Sequence, residues 1–394
     1  MQEFDDYELI LSDDHSIDGT AEYIDGIRGE RIKAFHTVRT MSMAEHWEWA
    51  LSKAEGRWAI FVGQDDGLQP YFFRLAERLS DIADESGIRA IMSRRAYYCW
   101  PECDPNSVYA TVSYTAVDSI GARSFAPAIV STLLGLQDYF ELPQMYTTSL
   151  FHRDLLDEAR RRQGGVVFTT HPQDANLAAI ALSLERKYLY SDIPLGWVGS
   201  SSRSAGLAVV SKSDPLADEL KTEYVRKTKQ SGLRYCSLIG DFSIGSTVLY
   251  FWGALLETSQ LRARLIDLIL RSRFARRIVL SAAYLELCEK GEAASTDRVS
   301  CLREAVVSNG FDYSYIKSFA RRQLACIREL YRLALRTFNR TTLGFDLVFA
   351  RTRGRAKKKS ISLFIHRVEE PGVSLSFAQS KVMQRMAEEN FFQE

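Results

Sequence analysis

The chain has 394 residues, of which 46% are hydrophobic and 25% charged. That is the composition of ordinary soluble globular protein, with room for two domains of roughly 100 to 200 residues each, and it excludes disorder as the default. The 50 basic and 50 acidic side chains cancel overall, but residues 1–205 carry 19 basic against 30 acidic and residues 206–394 carry 31 against 20, a split that suggests two domains with different partners.

Cysteines at 99, 103, 236, 288, 301 and 326 show no paired spacing, and Cys99-Trp-Pro-Glu-Cys103 has no second pair or nearby His to complete a metal site. Reduced thiols in a cytosolic protein are expected. The acidic start, MQEFDDYE, has no basic n-region and so no signal peptide. The longest charge-free stretch, 242–256, or 235–256 if Asp241 is allowed as an interruption, reads as a buried core helix rather than a membrane span.

In chain order, residues 7–11 read as a strand, 20–27 as a helix capped by Asp18 or Thr20, and 32–35 as a second strand. Ala44, Trp47, Leu51 and Ala54 recur at helical spacing with Gly56 as the stop. A buried strand is expected over 58–62, a helix over 70–83, and strands at 88–93, 109–117 and 146–152. A helix over 173–185 buries Leu177, Ile180, Ala181 and Leu184, and VGSSSRSAG at 198–206 reads as a loop or linker. Residues 215–345 show helical periodicity throughout. Short apolar runs alternating with amphipathic stretches give an α/β class for the first half.

Asp13-Asp14 and Asp65-Asp66 each follow an expected strand, so both pairs are expected at the carboxyl edge of one sheet, where open α/β sheets bind ligands. Carboxylates gathered there repel unless a cation or hydrogen-bond donors intervene, and a divalent ion bridging to phosphates answers that need. Taken singly, each pair is also ordinary turn chemistry, and Asp174 is an ordinary helix cap.

Ser16-Ile17-Asp18-Gly19-Thr20 nearly spells the haloacid dehalogenase phosphatase signature, but Ser16 stands where the nucleophilic Asp belongs. A different resemblance is specific. Asp13, Asp14, Ser16, Asp18 and Thr20 after a strand, then Trp47, Ala50, Leu51, Ala54 and Gly56, then IFVGQDDGLQP, then Asp174 in HPQDANLAAIAL resemble, in order, the motifs of family 2 glycosyltransferases of the GT-A fold. The likeness covers roughly residues 2–205.

The resemblance implies a GT-A mixed sheet flanked by helices over 1–205, followed by a basic, mostly α-helical domain over 206–394. It implies an inverting, metal-dependent hexosyltransferase that uses Mn²⁺ or Mg²⁺, a nucleotide-diphospho-sugar donor and a glycan or lipid-linked acceptor, in surface glycan or polysaccharide biosynthesis. Asp13 and Asp14 would bind the donor nucleotide, Asp65 and Asp66 the metal, and Asp174 would be the general base. Two departures stand out: Gly63 occupies the first position of the usual Asp-x-Asp, and the chain starts at Met1-Gln2, short by about one strand and helix of roughly thirty residues. A truncated, catalytically impaired scaffold and a nucleotidyltransferase are the alternatives.

His171 is a candidate acceptor or metal contact, with a loop residue as the plainer reading; His46 beside Trp47 and Trp49 reads as packing. Trp100, Tyr146 and Trp197 are candidates for stacking on sugar rings, with core packing an equal reading. In the basic half, Arg262, Arg264, Arg271, Arg273, Arg276 and Arg277 decorate an apolar helix, and Arg351, Arg353, Arg355 and Lys357 to Lys359 form a run. A solvated face is the ordinary explanation; the functional one is an anionic membrane surface, which would make the protein cytoplasmic and peripheral on the inner face. Nucleic acid is not expected, because neither segment interleaves aromatics.

Overall fold

In the computed structural model of the chain, the described residues are 4–100, 108–115, 120–201, 204, 215–231, 233, 245–290, 296–342, 360–366 and 384. The first half is α/β and the second mainly helical. Strand β1 (Leu9–Asp13), helix α1 (Thr20–Gly26), strand β2 (Ile32–His36) and helix α2 (Met43–Leu51) open the chain. β1 and β2 pair in parallel with Asp13 opposite His36. α2 starts at a capping box in which Ser42 and Glu45 satisfy each other's backbone N–H, and it buries Ala44 and Leu51.

The central sheet runs β3-β9-β5-β10-β8, from β3 (Trp58–Ala59), β5 (Ala90–Ser93), β8 (Gly121–Ser124), β9 (Ser149–His152) and β10 (Lys187–Ser191). Its side chains alternate between two cores, as a pleated strand requires. Ile91, Leu150 and Leu189 enter one, with Leu75 and Leu79 of α3 (Phe72–Glu85). Ala90, Met92, Phe151, Tyr188 and Tyr190 enter the other. A third sheet, β12-β7-β6-β11-β4, uses β4 (Gly67–Leu68), β6 (Ala96–Cys99), β7 (Val108–Thr115), β11 (Gly196–Ser200) and β12 (Ser360–His366).

Two expectations are corrected here. The run 58–62 forms ladder bonds only at Trp58–Ala59, Phe61 makes an isolated bridge to Tyr146, and Val62 is exposed. The strands that lead to the two acidic pairs belong to separate sheets, because β1 pairs with β2 alone and β3 with β9. The expected linker begins as strand β11. The basic run 351–359 and the stretch 235–244 lie outside the described residues.

Helix α4 (Phe125–Leu133), helix α5 (Arg153–Arg162) and helix α6 (Gln173–Leu184) cover the second core. α6 buries nine of its residues, as a helix apolar on every side must. The helical half supplies α7 (Pro215–Gln230), α8 (Thr247–Glu257), α9 (Arg264–Arg271), α10 (Arg273–Glu289), α11 (Thr296–Ser308), α12 (Tyr313–Phe319) and α13 (Ala325–Thr342). Leu249, Phe251 and Trp252 of α8 and Leu280 of α10 join Leu177 and Ile180 in one apolar cluster that crosses the expected boundary at residue 205. Among the described residues, no helix is long and apolar enough to cross a membrane.

One buried carboxylate fastens α8 to α10. Glu286 accepts from Ser246 Oγ at 2.6 Å, Thr247 N at 2.9 Å, Thr247 Oγ1 at 2.8 Å and Lys290 Nζ at 2.7 Å. Burial raises its proton affinity, but Lys290, Ser246 and Thr247 together hold it below the ordinary glutamate range. Glu286→Ala would leave buried donors without an acceptor and is expected to destabilise the fold by about 3 kcal/mol in equilibrium unfolding. Because the folded-state pKa is depressed, this contribution is complete above the unfolded glutamate value and lost as pH falls through the folded one. The difference between parent and variant should therefore shrink in acid.

Candidate active site

Asp13 ends β1, and His15 at φ 58° and Gly19 at φ 84° turn the chain from there into α1. Its carboxylate accepts from Ser16 N at 3.2 Å and pairs with His36 Nδ1 at 3.5 Å. It is nearly buried. Burial pushes its proton affinity up, but the Ser16 and His36 contacts outweigh that and hold it below the ordinary aspartate range. Asp18, by contrast, is occupied with Thr20, accepting from its N at 3.2 Å and its Oγ1 at 2.6 Å.

Asp14 points the other way. Its Oδ1 accepts from Met41 N at 2.8 Å, and its Oδ2 lies 3.4 Å from Lys227 Nζ, so a lysine from α7 reaches the acidic turn. His46, whose Nε2 is 2.6 Å from Ser12 Oγ, is kept neutral mainly by burial, against the pull of Asp14 and Asp13. The packing role expected for His46 is joined by a polar one.

The second acidic pair sits in the turn between Phe61 and β4. Asp66 Oδ2 accepts from Gly63 N at 2.9 Å and Thr147 Oγ1 at 2.8 Å, and Oδ1 from Gly199 N at 2.7 Å. The Tyr146 hydroxyl is bonded to it too. Asp66 thus clamps two distant segments, at 146–147 and at Gly199, to its own turn. Asp65 Oδ2 accepts from Ser201 Oγ at 3.0 Å and from Ser204 Oγ, and its carbonyl accepts from Trp100 Nε1 at 2.8 Å. Its Oδ1 takes no hydrogen bond from the described residues.

Two glycines make this packing feasible. A Cβ on Gly199 would overlap the Asp65 carbonyl, and one on Gly63 would stand 2.5 Å from the Tyr146 hydroxyl and 2.7 Å from Asp66 Oδ2. The missing carboxylate at position 63 therefore has a local cause: the Tyr146 hydroxyl and the Asp66 side chain fill its place.

Asp174 lies in the first turn of α6. Its Oδ2 accepts from Tyr139 Oη at 3.1 Å and its Oδ1 from Ala175 N at 2.8 Å. Burial raises its proton affinity above the ordinary aspartate value, with the Ala175, Tyr139 and Arg95 contributions offsetting only part. Tyr146 feels Asp66, Asp65 and Asp174 together and, mainly through burial, has its hydroxyl pKa pushed well above the usual phenol range. Trp47 stacks on Tyr146 and Phe61 with centroids 5.5 Å and 4.2 Å away.

His171 is buried, and burial drives its pKa down to about 4, so it is a neutral imidazole at pH 7. Trp197 is fully buried in the core, and Trp100 braces the Asp65 turn; packing and bracing explain both. His36, Tyr139, Arg95 and Lys227 carry no sequence signal that marks them as neighbours of these acids. In the fold, parallel pairing of β1 with β2 sets His36 opposite Asp13.

Among the described residues no group of three or more His, Cys, Asp or Glu side chains is arranged to hold a metal ion. The donors present fit a cation shared with a substrate's phosphates, through Asp65 Oδ1, since Mg²⁺ and Mn²⁺ commonly use one or two protein carboxylates. They do not fit a site that draws on both carboxylates, because Asp66 is taken up by the clamp.

No curated protein matches the chain. In structure it is similar to a crystal structure of S. aureus TarS 1-349, at 15% identity over 76% of this chain and 83% of that one, with a TM-score of 0.38. It is likewise similar to a crystal structure of S. aureus TarS, at 15% identity over 76% of this chain and 50% of that one, with the same TM-score of 0.38. Residues 1–98 match the family model described as glycosyl transferase family 2. That matched segment carries Asp13, Asp14, Asp65 and Asp66, so the likeness to family 2 glycosyltransferases covers both acidic turns.

Proposed function

We propose that the chain is a glycosyltransferase that inverts configuration at the anomeric carbon as it moves a sugar from a nucleotide diphosphate to a hydroxyl of a glycan or lipid-linked acceptor, in the synthesis of a cell-surface glycan. The observation that carries the reading is that the Tyr146 hydroxyl, bonded to Asp66, also feels the charges of Asp65 and Asp174, which sets a candidate base within electrostatic reach of the candidate diphosphate side. Asp174 takes the proton of the acceptor hydroxyl as its oxygen forms the bond to the anomeric carbon. The bond to the diphosphate breaks and its electron pair leaves with the phosphate. A base whose proton affinity is raised by burial is better matched to that transfer than an exposed aspartate.

Asp13, held ionised, is the acceptor for a donor hydrogen bond from the base or ribose, and Asp14 supports the same turn. A divalent cation held by Asp65 would neutralise charge growing on the leaving diphosphate. Asp66 keeps the turn in shape. His171, neutral and buried with its ring edge-on to Tyr224, has a packing role in this reading rather than serving the acceptor or metal.

A non-catalytic scaffold is the second reading, favoured by Gly63 and by the engagement of Asp66. Donor hydrolysis that requires Mn²⁺ and disappears in Asp65→Ala would reject it, and release of pyrophosphate in place of nucleoside diphosphate would instead indicate nucleotidyl transfer. The anomeric configuration of the product, read by NMR, tests inversion directly.

Asp174→Asn is expected to lower kcat by about a hundredfold to ten-thousandfold while leaving donor KM near the parent value. In the parent, kcat/KM should rise with pH through a pKa above the ordinary aspartate range, because the base works deprotonated and burial raises its pKa. A limb that persists unchanged in Asp174→Asn would remove Asp174 from this role. Gly199→Ala should displace the Asp65 turn and abolish calorimetric binding of nucleoside diphosphate with Mn²⁺, with far-UV circular dichroism retained. Binding at parental affinity would show that the turn does not form the donor site.

A further inference from the structure

Helix α9 and the first turn of α10 leave an apolar surface that the described residues do not cover. Leu265 is 68% exposed, Ile266 49%, Leu268 58%, Ile269 59% and Phe274 58%. At 100° per residue the four on α9 span an arc of roughly 160°, while Leu270 alone turns inward. The helix is pinned from below, where Trp252 Nε1 donates to the Leu270 carbonyl at 3.2 Å and Arg271 Nη2 to the Leu256 carbonyl at 2.8 Å. The exposure therefore belongs to an anchored helix.

The charge around that face has one sign. Arg264 and Arg273 are exposed, and Arg276 and Arg277 are half-buried. The acid within α9, Asp267, is paired with Arg262 at 3.3 Å and Arg271 at 2.7 Å. A shallow cleft of about 540 Å³ adjoins the face, lined by Arg273, Phe274, Arg277, Phe311, Asp312 and Tyr315. Its carboxylate, Asp312, caps α12 by accepting from Tyr315 N at 2.9 Å.

We propose that α9 and the first turn of α10 dock the protein on an anionic lipid bilayer. The leucines, isoleucines and Phe274 enter the boundary between headgroups and acyl chains, and the arginines pair with lipid phosphates. A helix with a wide apolar face bordered by arginine lies in a membrane interface in this manner. A second copy of the chain is the less suitable occupant, since a two-fold contact would set Arg264 and Arg273 near their own copies and like charges oppose association. This surface stands on exposure and charge alone and does not depend on the sugar-transfer reading.

The test is flotation of the full chain with phosphatidylcholine vesicles, with and without about one-third phosphatidylglycerol. Binding is expected only to the anionic vesicles. Leu265→Ser/Ile269→Ser and Arg264→Glu/Arg273→Glu should each weaken it by about 30-fold or more, with parental melting curves because the altered side chains are exposed. Leu330→Ser/Leu333→Ser, exposed apolar positions elsewhere, and replacement of the basic residues of 351–359 by Ser should each leave binding within about threefold of the parent. Absence of binding by the parent, parental binding by both α9 variants, or a loss confined to the 351–359 variant would overturn the proposal. So would a dimer in sedimentation velocity that the α9 variants dissolve while vesicles bind nothing.

Discussion

The Asp66 carboxylate is the constraint around which the first half is organised. Its two oxygens collect Gly63, Thr147 and Gly199, which lie on the acidic turn, on the approach to β9 and on β11. A carboxylate in a half-buried place must find donors, and here donors from its own turn and from two remote segments meet that need at one point. The consequence is geometric. β11 comes so near the Asp65 backbone that only glycine fits at position 199, and Trp100 closes the same turn from outside. The chemistry proposed for Asp65 depends on a neighbour that is itself spent on structure.

Tyr146 extends that constraint toward Asp174. Its phenol takes up the space that a side chain at position 63 would need, stacks on Trp47, and lies in the field of three carboxylates. Carboxylates that act on one partly buried group raise one another's charging cost unless something lowers the charge. The structure offers two forms of relief: hydrogen bonds saturate Asp66, and burial raises the proton affinity of Asp174. Only Asp65 keeps an oxygen outside the described hydrogen bonds. A donor's cation, if shared with that oxygen, would enter a place already prepared for a single ligand.

How much of this was legible in the sequence depends on the range of the interaction. Elements specified by local pattern were readable: Ala44 and Leu51 do face the core, and Leu177, Ile180 and Ala181 are buried in α6. The strand expected over 58–62 is broken at Ile60, because Trp58 and Ala59 pair with β9 while Phe61 bridges Tyr146, and Val62 leads into the turn that Asp66 clamps. Membership of one sheet could not be read from where Asp13 and Asp65 fall, since pairing of β1 with β2 and of β3 with β9 is decided by partners far along the chain. The same holds for Tyr139, Tyr146 and His36, whose relation to the acids exists only after folding. Trp197, a candidate sugar platform from its type, is core, fully buried in the cluster that also holds Leu195 and Ile91.

The charge split between the halves acquires a local meaning at Asp14. Lys227 comes from the basic half and reaches the acidic turn at 3.4 Å, with Glu223 of its own helix at 3.5 Å. At that separation and partial exposure the pair adds little stability, so its effect is on potential rather than on folding. In the proposed donor site, a diphosphate approaching two aspartates would meet net repulsion; a lysine beside Asp14 and a neutral Gly63 both reduce it. The helical half is thereby joined to the first domain in two ways, through a continuous apolar core behind α6 and through a cation at the mouth of the donor turn, and a change that moved α7 would alter the charge of the site without touching any of its aspartates.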